Sequence, residues 1–296
     1  MYSQIDSNKH KSIALIAIFA AFLIALGFAY DYAYGSGGLG GVFFAIIISI
    51  FMTGISYFAG DKVALASSGA RAITKEENAY LYNMVENLCI TAGIPMPKVH
   101  IIPENAINAF ATGRDPSHAS IAVTEGALQK LENEELEGVL AHELSHIKNF
   151  DTRFLMLVIV LVGAVGLLAD MFWRARFFGF GGGRRSNNRE DNNGIFMIVG
   201  LAFIILSPLI AQLIRFAISR RREFLADSSG ALLTRYPEGL ARALEKIGLD
   251  KTPMTHANST TASLYFSNPF SGKNFIALFS THPALEARIK SLREMI

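Results

Sequence analysis

Long apolar runs alternate with polar segments along this chain of 296 residues. Each of four runs is long enough to cross a bilayer as a helix, which takes about 20 residues. The first two runs carry no charge, whereas the third contains Asp170 and the fourth contains Pro208, which would kink a helix. The pattern predicts four candidate transmembrane helices in two hairpins, at Ser12–Tyr30, Leu39–Ala59, Phe154–Trp173 and Ile195–Ile214.

The polar segments have the patterns of globular secondary structure. Helical periodicity covers Glu76–Thr91 and Glu134–Phe150, and helices are also predicted near Pro237–Ile247 and Pro283–Glu294. Three short runs separated by turn residues predict a small antiparallel sheet, at Lys98–Ile102, Ala109–Thr112 and Ser120–Val123. The chain is therefore expected to be a mostly helical α+β membrane protein.

The boundaries between apolar and polar segments divide the chain into four parts. An N-terminal transmembrane hairpin (1–61) precedes a first soluble segment (62–153). A second transmembrane hairpin with a Gly/Arg-rich loop (154–214) precedes a C-terminal soluble segment (215–296). The two soluble segments are expected to form one domain, because antiparallel helices joined by a hairpin return the chain to the same membrane face.

The distribution of positive charge predicts the orientation. Lys9 and Lys11 precede the first apolar run and Lys62 follows the second, whereas the loop Asp31–Gly38 has no Lys or Arg. The positive-inside rule therefore places the N-terminus and the first soluble segment in the cytoplasm. The loop of the second hairpin conflicts with this, since it contains Arg174, Arg176, Arg184, Arg185 and Arg189. Either that hairpin does not fully cross, or the first hairpin dominates, and the sequence leaves both alternatives open.

Composition narrows the function. Hydrophobic residues make up 51% of the chain and charged residues 18%, below the roughly 25% of soluble domains. The formal net charge of +2 is too small to indicate a nucleic-acid partner. Cys89 is the single cysteine, which excludes an intrachain disulfide and a thiolate metal cage.

The segment His142-Glu-Leu-Ser-His146 carries the clearest chemistry. Its two histidines are four residues apart in a predicted helix and therefore share one face, which suits two ligands of a tetrahedral zinc ion. Glu143, beside the first ligand, suits a general base that takes a proton from the water attacking a peptide carbonyl. The alternative is a solvated helix face with two incidental histidines.

A catalytic zinc site needs a third protein ligand, and Glu223 is the candidate. His146 lies eight residues before the third apolar run and Glu223 nine residues after the fourth. If both helices continue straight, each ligand projects about 12–14 Å from the same membrane face. Asp151 and Asp227 are predicted to accept the other ring N–H of the ligating histidines, although a solvated carboxylate is the alternative for each.

These residues resemble the HtpX-type membrane zinc metalloproteases, which are related to the CAAX prenyl proteases. The resemblance covers nearly the whole chain and includes both apolar pairs. Its motifs are Asn108–Gly113, His142–His146 with Asp151, Glu223–Asp227, and Thr281–Pro283 with Arg288. Together and in this order they are highly specific.

The resemblance implies roles that spacing alone does not. It implies a zincin-like catalytic domain on the cytoplasmic side with one zinc ion per chain, for which Glu223 is the third ligand. His282 and Arg288 would stabilise the oxyanion of the tetrahedral intermediate. An edge strand would pair with the substrate backbone through Asn108, Ala109, Phe110 and Ala111.

The resemblance also implies the biological role. Members of the HtpX type cut misfolded or damaged membrane proteins at the cytoplasmic face of the bacterial inner membrane, as stress-related quality control. Four spans are too few for the chamber of the CAAX type, which favours quality control. Three other hypotheses are a catalytically idle scaffold, an enzyme that hydrolyses another bond, and a transporter. The complete set of site residues argues against an idle scaffold, and the candidate edge strand argues against another bond as the target. The spans contain a single acidic residue, which argues against a transporter.

Overall fold

A computed structural model describes residues 2–34, 38–178, 220–255, 262–267, 269 and 283–295. The helices are α1 (Tyr2–Tyr34), α2 (Gly40–Ser67), α3 (Ala79–Ala92), α4 (Glu125–Lys130), α5 (Asn133–Lys148), α6 (Asp151–Phe178), α7 (Arg220–Thr234), α8 (Pro237–Leu249) and α9 (Leu285–Arg293). The strands are β1 (Arg71–Ala72), β2 (Lys98–Ile102), β3 (Ala109–Gly113) and β4 (Ala119–Thr124), and short 3₁₀ turns lie at Pro116–His118 and Ala262–Leu264. The expectation of a mostly helical α+β chain is confirmed.

Helices α1 and α2 form an antiparallel hairpin that is long and apolar enough to cross a membrane. Asp31 closes the hairpin, because its carboxylate accepts bonds from the Gly41 and Val42 amides at 2.7 and 2.9 Å. Gly27 allows the two helices to approach, since a Cβ there would lie 2.4 Å from the Gly41 carbonyl oxygen. Large apolar side chains stay exposed on the outer faces of the hairpin, as lipid contact requires.

The second predicted hairpin is described only in part. Helix α6 includes the third predicted span, and its first half packs against α1 through an apolar cluster. Helices α5 and α6 satisfy the criteria for a span only as a pair bent by 78°. The fourth predicted span, Ile195–Ile214, and the Gly/Arg-rich loop lie outside the described residues. The described part of the chain thus has two candidate spans, or three if the bent pair counts as one.

The sheet has the order β1-β2-β4-β3, which corrects the prediction of an antiparallel sheet. Strands β2 and β4 are parallel, whereas β1 pairs with β2 and β3 pairs with β4 in antiparallel fashion. The reason is that the chain passes β2 to form β3 at the far edge and then turns back through Pro116–His118. Strand β4 therefore inserts between its two predecessors and leaves β3 as an edge strand.

Helix α5 occupies the centre of the soluble domain. It contacts β3 and β4 of the sheet on one side, and α3, α7 and α8 on others. A reciprocal capping box between Glu132 and Glu135 fixes its first turn. Its apolar side chains belong to the main core cluster, and Leu136, Leu140 and Ile147 have no exposed surface. Burial on several sides holds this helix as a rigid platform for the site.

The chain bends sharply between α5 and α6. Phe150 adopts a positive φ of 58°, a conformation that non-glycine residues rarely adopt, and the helix axes diverge by 78°. The Phe150 ring lies between Lys9 and Arg153, whose charged groups are 4.9 and 4.8 Å from its centroid. The premise that the His142–His146 helix continues straight into the third span is therefore wrong.

Candidate metal centre and active site

Helix α5 presents both histidines of the motif on one face, as the four-residue spacing predicts. The Nε2 atoms of His142 and His146 are 3.1 Å apart. His142 is buried, with 1% of its side chain exposed, whereas His146 retains 15%. Two imidazole nitrogens at this separation face a common point, as two ligands of one cation do.

Helix α7 brings Glu223 to the same point. Its Oε1 lies 3.6 Å from His146 Nε2 and its Oε2 lies 3.8 Å from His142 Nε2. The three candidate ligand atoms are all within 4.8 Å of one another. Gly230 permits the close contact between α7 and α5, because a Cβ there would lie 2.9 Å from the main-chain nitrogen of His142. The structure thus assembles the three side chains that the sequence pointed to as metal ligands.

The donor set fits zinc. Bonds of 2.0–2.2 Å in a tetrahedron separate ligand atoms by about 3.3 Å, close to the 3.1, 3.6 and 3.8 Å found here. Two histidine nitrogens and one carboxylate make a known catalytic zinc set that leaves a fourth position open. The chemistry and the spacing of these groups therefore fit that ion.

Each histidine is held at its other ring nitrogen by a carboxylate. Asp227 Oδ1 lies 2.9 Å from His142 Nδ1, and Asp151 Oδ2 lies 3.0 Å from His146 Nδ1. A carboxylate here keeps the Nδ1 proton in place and directs the Nε2 lone pair towards the metal position. The structure therefore places Asp227 and Asp151 where the sequence predicted, each beside one histidine.

The two histidines have opposite pKa shifts in the metal-free chain. Burial lowers the pKa of His142 to about 4, against the opposing effect of Asp227. Burial would also lower the pKa of His146, but the hydrogen bond to Asp151 and the charge of Glu223 raise it to about 9. His142 is thus ready to ligate at neutral pH, whereas His146 must first release a proton.

Glu143 points towards the sheet edge from the turn between the two histidines. Burial, with a contribution from the negative charge of Glu223, raises the pKa of Glu143 to about 7. His146, the main-chain N–H of Ala111 and Arg288 oppose this rise. A carboxyl group with a pKa near neutrality suits proton transfer at physiological pH.

Strand β3 presents alternate main-chain groups along its free edge. Thr124 N–H donates to the Asn108 carbonyl at 3.1 Å, and main-chain bonds alternate along an antiparallel pair. The main-chain groups of Ala109, Ala111 and Gly113 therefore face away from β4. Their contacts agree, because the Ala111 N–H lowers the pKa of Glu143 and the Ala109 carbonyl accepts from the Phe266 N–H at 2.8 Å.

The four residues predicted to bind substrate have different environments. The Asn108 side chain is committed to Ser267, since its Nδ2 donates to the Ser267 carbonyl at 3.0 Å and its Oδ1 accepts the Ser267 N–H at 3.2 Å. The Phe110 ring is fully buried and packs edge-on against Tyr265 at 5.3 Å. Of the four, Ala111 is the residue whose amide lowers the pKa of Glu143.

Arg288 is fully buried and holds Asp227 with two bonds. Its Nε and Nη2 donate to the two carboxylate oxygens at 2.8 and 2.6 Å. Its Nη1 makes no hydrogen bond within the described residues and lies 3.8 Å from Glu223 Oε2. Arg288 thus supports the carboxylate that holds His142, while Nη1 remains near the metal position. The predicted partner of Arg288, His282, lies outside the described residues.

Phe266 is a site residue that the sequence did not indicate. Its ring packs edge-on against His142 with the centroids 4.8 Å apart, and the Arg288 guanidinium lies 4.8 Å from the same ring. Phe266 lies in the polar stretch between the two predicted C-terminal helices. A single aromatic residue in such a stretch gives no signal of contact with a distant histidine.

Comparison with known proteins defines the class. The model of Peptidase family M48 matches residues 75–296, which is three quarters of the chain. The chain therefore belongs to peptidase family M48 and is a metalloprotease.

Related proteins align with nearly the whole length of the chain. It is 42% identical over 295 residues to a Protease HtpX homolog of Caldanaerobacter subterraneus subsp. tengcongensis, covering 100% of this chain and 98% of that protein. A Protease HtpX homolog of Dictyoglomus turgidum is 44% identical over 294 residues, covering 99% and 94%. The resemblance to the HtpX type is confirmed. The solved structure of S. mikatae Ste24p is similar with a TM-score of 0.49 and 18% identity, covering 99% of this chain and 67% of that one.

Proposed function

We propose that this protein is a zinc-dependent endopeptidase of the bacterial inner membrane that cleaves misfolded or damaged membrane proteins at the cytoplasmic face. The observation that carries the proposal is the convergence of His142, His146 and Glu223 within 4.8 Å, with Glu143 between them and the edge of β3. A scaffold without catalysis would not need a buried carboxyl group of raised pKa beside three metal donors.

His142, His146 and Glu223 would hold one zinc ion. When bound, zinc polarises a peptide carbonyl and makes water a stronger nucleophile at neutral pH. Asp227 and Asp151 keep both imidazole rings oriented through their Nδ1 atoms. The metal is proposed to be zinc because the donor set has the two-histidine, one-carboxylate composition of catalytic zinc sites.

Glu143 acts as the general base. A carboxyl group with a pKa near 7 is substantially ionised at neutral pH and gains basicity from its burial. It removes a proton from the attacking water and afterwards delivers a proton to the leaving amine. The Ala111 N–H favours the ionised form of Glu143 that this step requires.

The edge of β3 provides the substrate path. An extended peptide can pair with an exposed strand edge through main-chain bonds, so that its sequence matters little. Asn108, Ala109, Phe110 and Ala111 form this path, and an entering peptide replaces the bond that the Phe266 N–H makes to the Ala109 carbonyl. Arg288 Nη1, together with His282, stabilises the developing oxyanion near the metal.

Membrane proteins are the proposed substrates because the site is attached directly to membrane helices. Helix α5, which carries Glu143, is followed at once by α6, and α6 packs along α1 and α2. The catalytic centre therefore stays close to the bilayer. The positive charges around the first hairpin support a cytoplasmic location of this centre.

Metal content and casein cleavage of the detergent-purified protein test this function. The wild type should contain about one zinc per chain and cleave casein. Glu143→Ala should keep the metal and lose cleavage, whereas Glu223→Ala should lose both, because two ligands bind zinc too weakly. A wild type without zinc, or an active Glu143→Ala variant, would show that the protein is not a protease of this mechanism.

Backbone methylation of the substrate tests the strand path. A peptide that is methylated at main-chain nitrogens flanking the cleaved bond keeps its side chains but loses donors for strand pairing. Its kcat/KM should fall at least tenfold relative to the unmodified peptide, because each lost bond contributes about 1 kcal/mol. Equal cleavage of both peptides would exclude pairing along β3.

A further inference from the structure

Asn8 is a buried polar residue at an unexpected place. It lies near the start of α1, before the apolar part of that helix, and has no exposed surface. Burial of an amide side chain without partners is costly, so its bonds show what it does. Both of its assigned bonds lead to the junction of α5 and α6, more than 140 residues further along the chain.

The Asn8 amide group bridges the two sides of the 78° bend. Its Nδ2 donates to the Asn149 carbonyl at 2.9 Å and to the Asp151 carboxylate, at Oδ1, at 2.7 Å. Asn149 directly follows α5 as its C-cap, and Asp151 is the first residue of α6. One side chain of the first membrane helix therefore bonds to the end of the catalytic helix and to the start of the next.

Asp151 transmits this contact to the metal site. Its Oδ1 receives the Asn8 bond, and its Oδ2 lies 3.0 Å from His146 Nδ1. A carboxylate fixed at one oxygen has less freedom to rotate, so the ring that it holds at the other oxygen is also fixed. Arg222 approaches the same Oδ1 at 3.4 Å, a longer contact than the one from Asn8.

We propose that Asn8 is a positioning residue for the metal site, acting through Asp151 on the ring of His146. The inference rests on the proposed metal centre and adds that the first membrane helix is part of it. With Asp151 held from α1, His146 Nε2 stays directed at the point it shares with His142 and Glu223. Docking of α1 is thus a condition for full metal affinity.

A purely structural role makes a different prediction. If Asn8 only capped the end of α5 at Asn149, its loss would lower stability and leave metal affinity unchanged. Ser12 provides a matched control, since it is buried one turn further along α1 and its hydroxyl donates to the Asn8 carbonyl at 2.9 Å. Ser12→Ala removes a buried hydrogen bond from the same helix without a contact to Asp151.

The experiment measures zinc affinity by competition with a chelator, using the full chain in detergent. Every variant carries Glu143→Gln, so that none can degrade itself. Asn8→Leu removes both donated bonds and keeps a side chain that branches at Cγ, and Asn8→Ala removes them without placing apolar atoms beside Asp151. Either variant should weaken zinc binding about tenfold, the lower end for groups that support a metal ligand. Ser12→Ala should change it less than twofold.

A double-mutant cycle separates positioning from stability. In an Asp151→Ala background, Asn8→Leu should have less than a twofold effect on zinc affinity, because the residue through which it acts is gone. An unchanged affinity of the Asn8 variants, or an equal loss with and without Asp151, would overturn the inference while the metal centre stands. A reference protein that takes up no zinc would overturn both.

Discussion

The two histidines of the metal centre lie one helical turn apart, yet different parts of the protein hold them. His142 is bonded to Asp227 on α7, which Arg288 on α9 clamps with two bonds. His146 is bonded to Asp151 on α6, which Asn8 on α1 holds. The C-terminal helices α7 and α9 thus support one ligand, whereas α6 and the candidate membrane span α1 support the other, so the centre lies where these two groups of helices meet.

The two supports also differ in how closely a cation approaches them. Asp227 has a fully buried guanidinium beside it; burial would raise its pKa, but the charge of Arg288 and the hydrogen bonds from His142 and Arg288 lower it. Asp151 accepts its shorter bond from the neutral amide of Asn8, and the Arg222 guanidinium lies further away, with Nη1 3.4 Å from the same oxygen. Burial keeps His142 neutral in the metal-free protein, whereas the hydrogen bond to Asp151 and the charge of Glu223 raise the pKa of His146 to about 9. The comparison teaches that ligands of one kind can be prepared for metal binding by opposite electrostatics.

The largest expected effect follows from breaking the charged support. Arg288→Met would leave the buried carboxylate of Asp227 without its cation, and removal of one partner from a buried pair costs about 3–5 kcal/mol. We expect the metal-free protein to lose about 3 kcal/mol of unfolding free energy in detergent. Chemical unfolding of the variant measures this loss, and a change below 1 kcal/mol would show that Asp227 does not depend on Arg288.

Breaking the support of His146 should affect the metal more than the fold. Asp151→Asn keeps the shape of the side chain but replaces the carboxylate with a neutral amide, and such changes weaken metal binding about 10–100-fold. We expect this loss in chelator competition, with a smaller stability change than Arg288→Met gives. If zinc affinity stayed within twofold of the wild type, the orientation of His146 would have to depend on other groups.

The pH dependence of metal-free stability distinguishes the two histidines. An unfolded histidine has a pKa of about 6.5. His142, with a folded pKa of about 4, contributes stability that is present above 6.5 and is lost as pH falls towards 4. His146, with a folded pKa of about 9, contributes stability that is present below 6.5 and is lost as pH rises through 9.

The metal-free protein should therefore be most stable near pH 6.5, as far as these two groups determine it. Unfolding of chelator-treated protein between pH 4 and 9 measures this, and His146→Gln should remove the decline on the alkaline side only. A decline that survived this substitution would assign the alkaline effect to other groups.

The smallest effect is expected at a neighbouring arginine on α9. Arg293 also forms paired bonds with carboxylates, to Glu238 at 2.7 Å and to Glu245 at 2.8 Å, but 44% of its side chain is exposed. Exposed ion pairs are screened by solvent and contribute little to stability. Arg293→Met should therefore lower the unfolding free energy much less than Arg288→Met does in the same measurement. Comparable losses would mean that burial does not separate the two arginines.

Local patterns in the sequence predict many of the helices and strands. The alternation and turn residues located β2 at Lys98–Ile102, and the proline at 237 marked the start of α8. The spacing of four residues put His142 and His146 on one face, because a helix of any surroundings imposes it. Straight helices would bring Glu223 to the level of these histidines, and the structure brings it there despite the bend.

Local sequence patterns do not determine the contacts between distant parts of the chain. The insertion of β4 between β2 and β3 depends on which strands pair, and no local pattern encodes it. The bend at Phe150 requires a positive φ that its side chain does not favour, so surrounding contacts impose it. Asn8 and Phe266 reach the site from two polar stretches, one before the first predicted span and one between the predicted C-terminal helices, and neither stretch indicates a contact with it.

The free edge of β3 is also an aggregation hazard, because unpaired strand edges of different copies can join. This edge is occupied near both of its ends. The Phe266 N–H bonds to the Ala109 carbonyl, and the Thr152 hydroxyl bonds to the Gly113 carbonyl at 3.0 Å. Any strand that pairs along β3, whether it belongs to a second copy or to a substrate, has to displace these bonds first. The edge therefore disfavours association between neighbouring molecules, and a substrate has to compete with the protein's own chain for it.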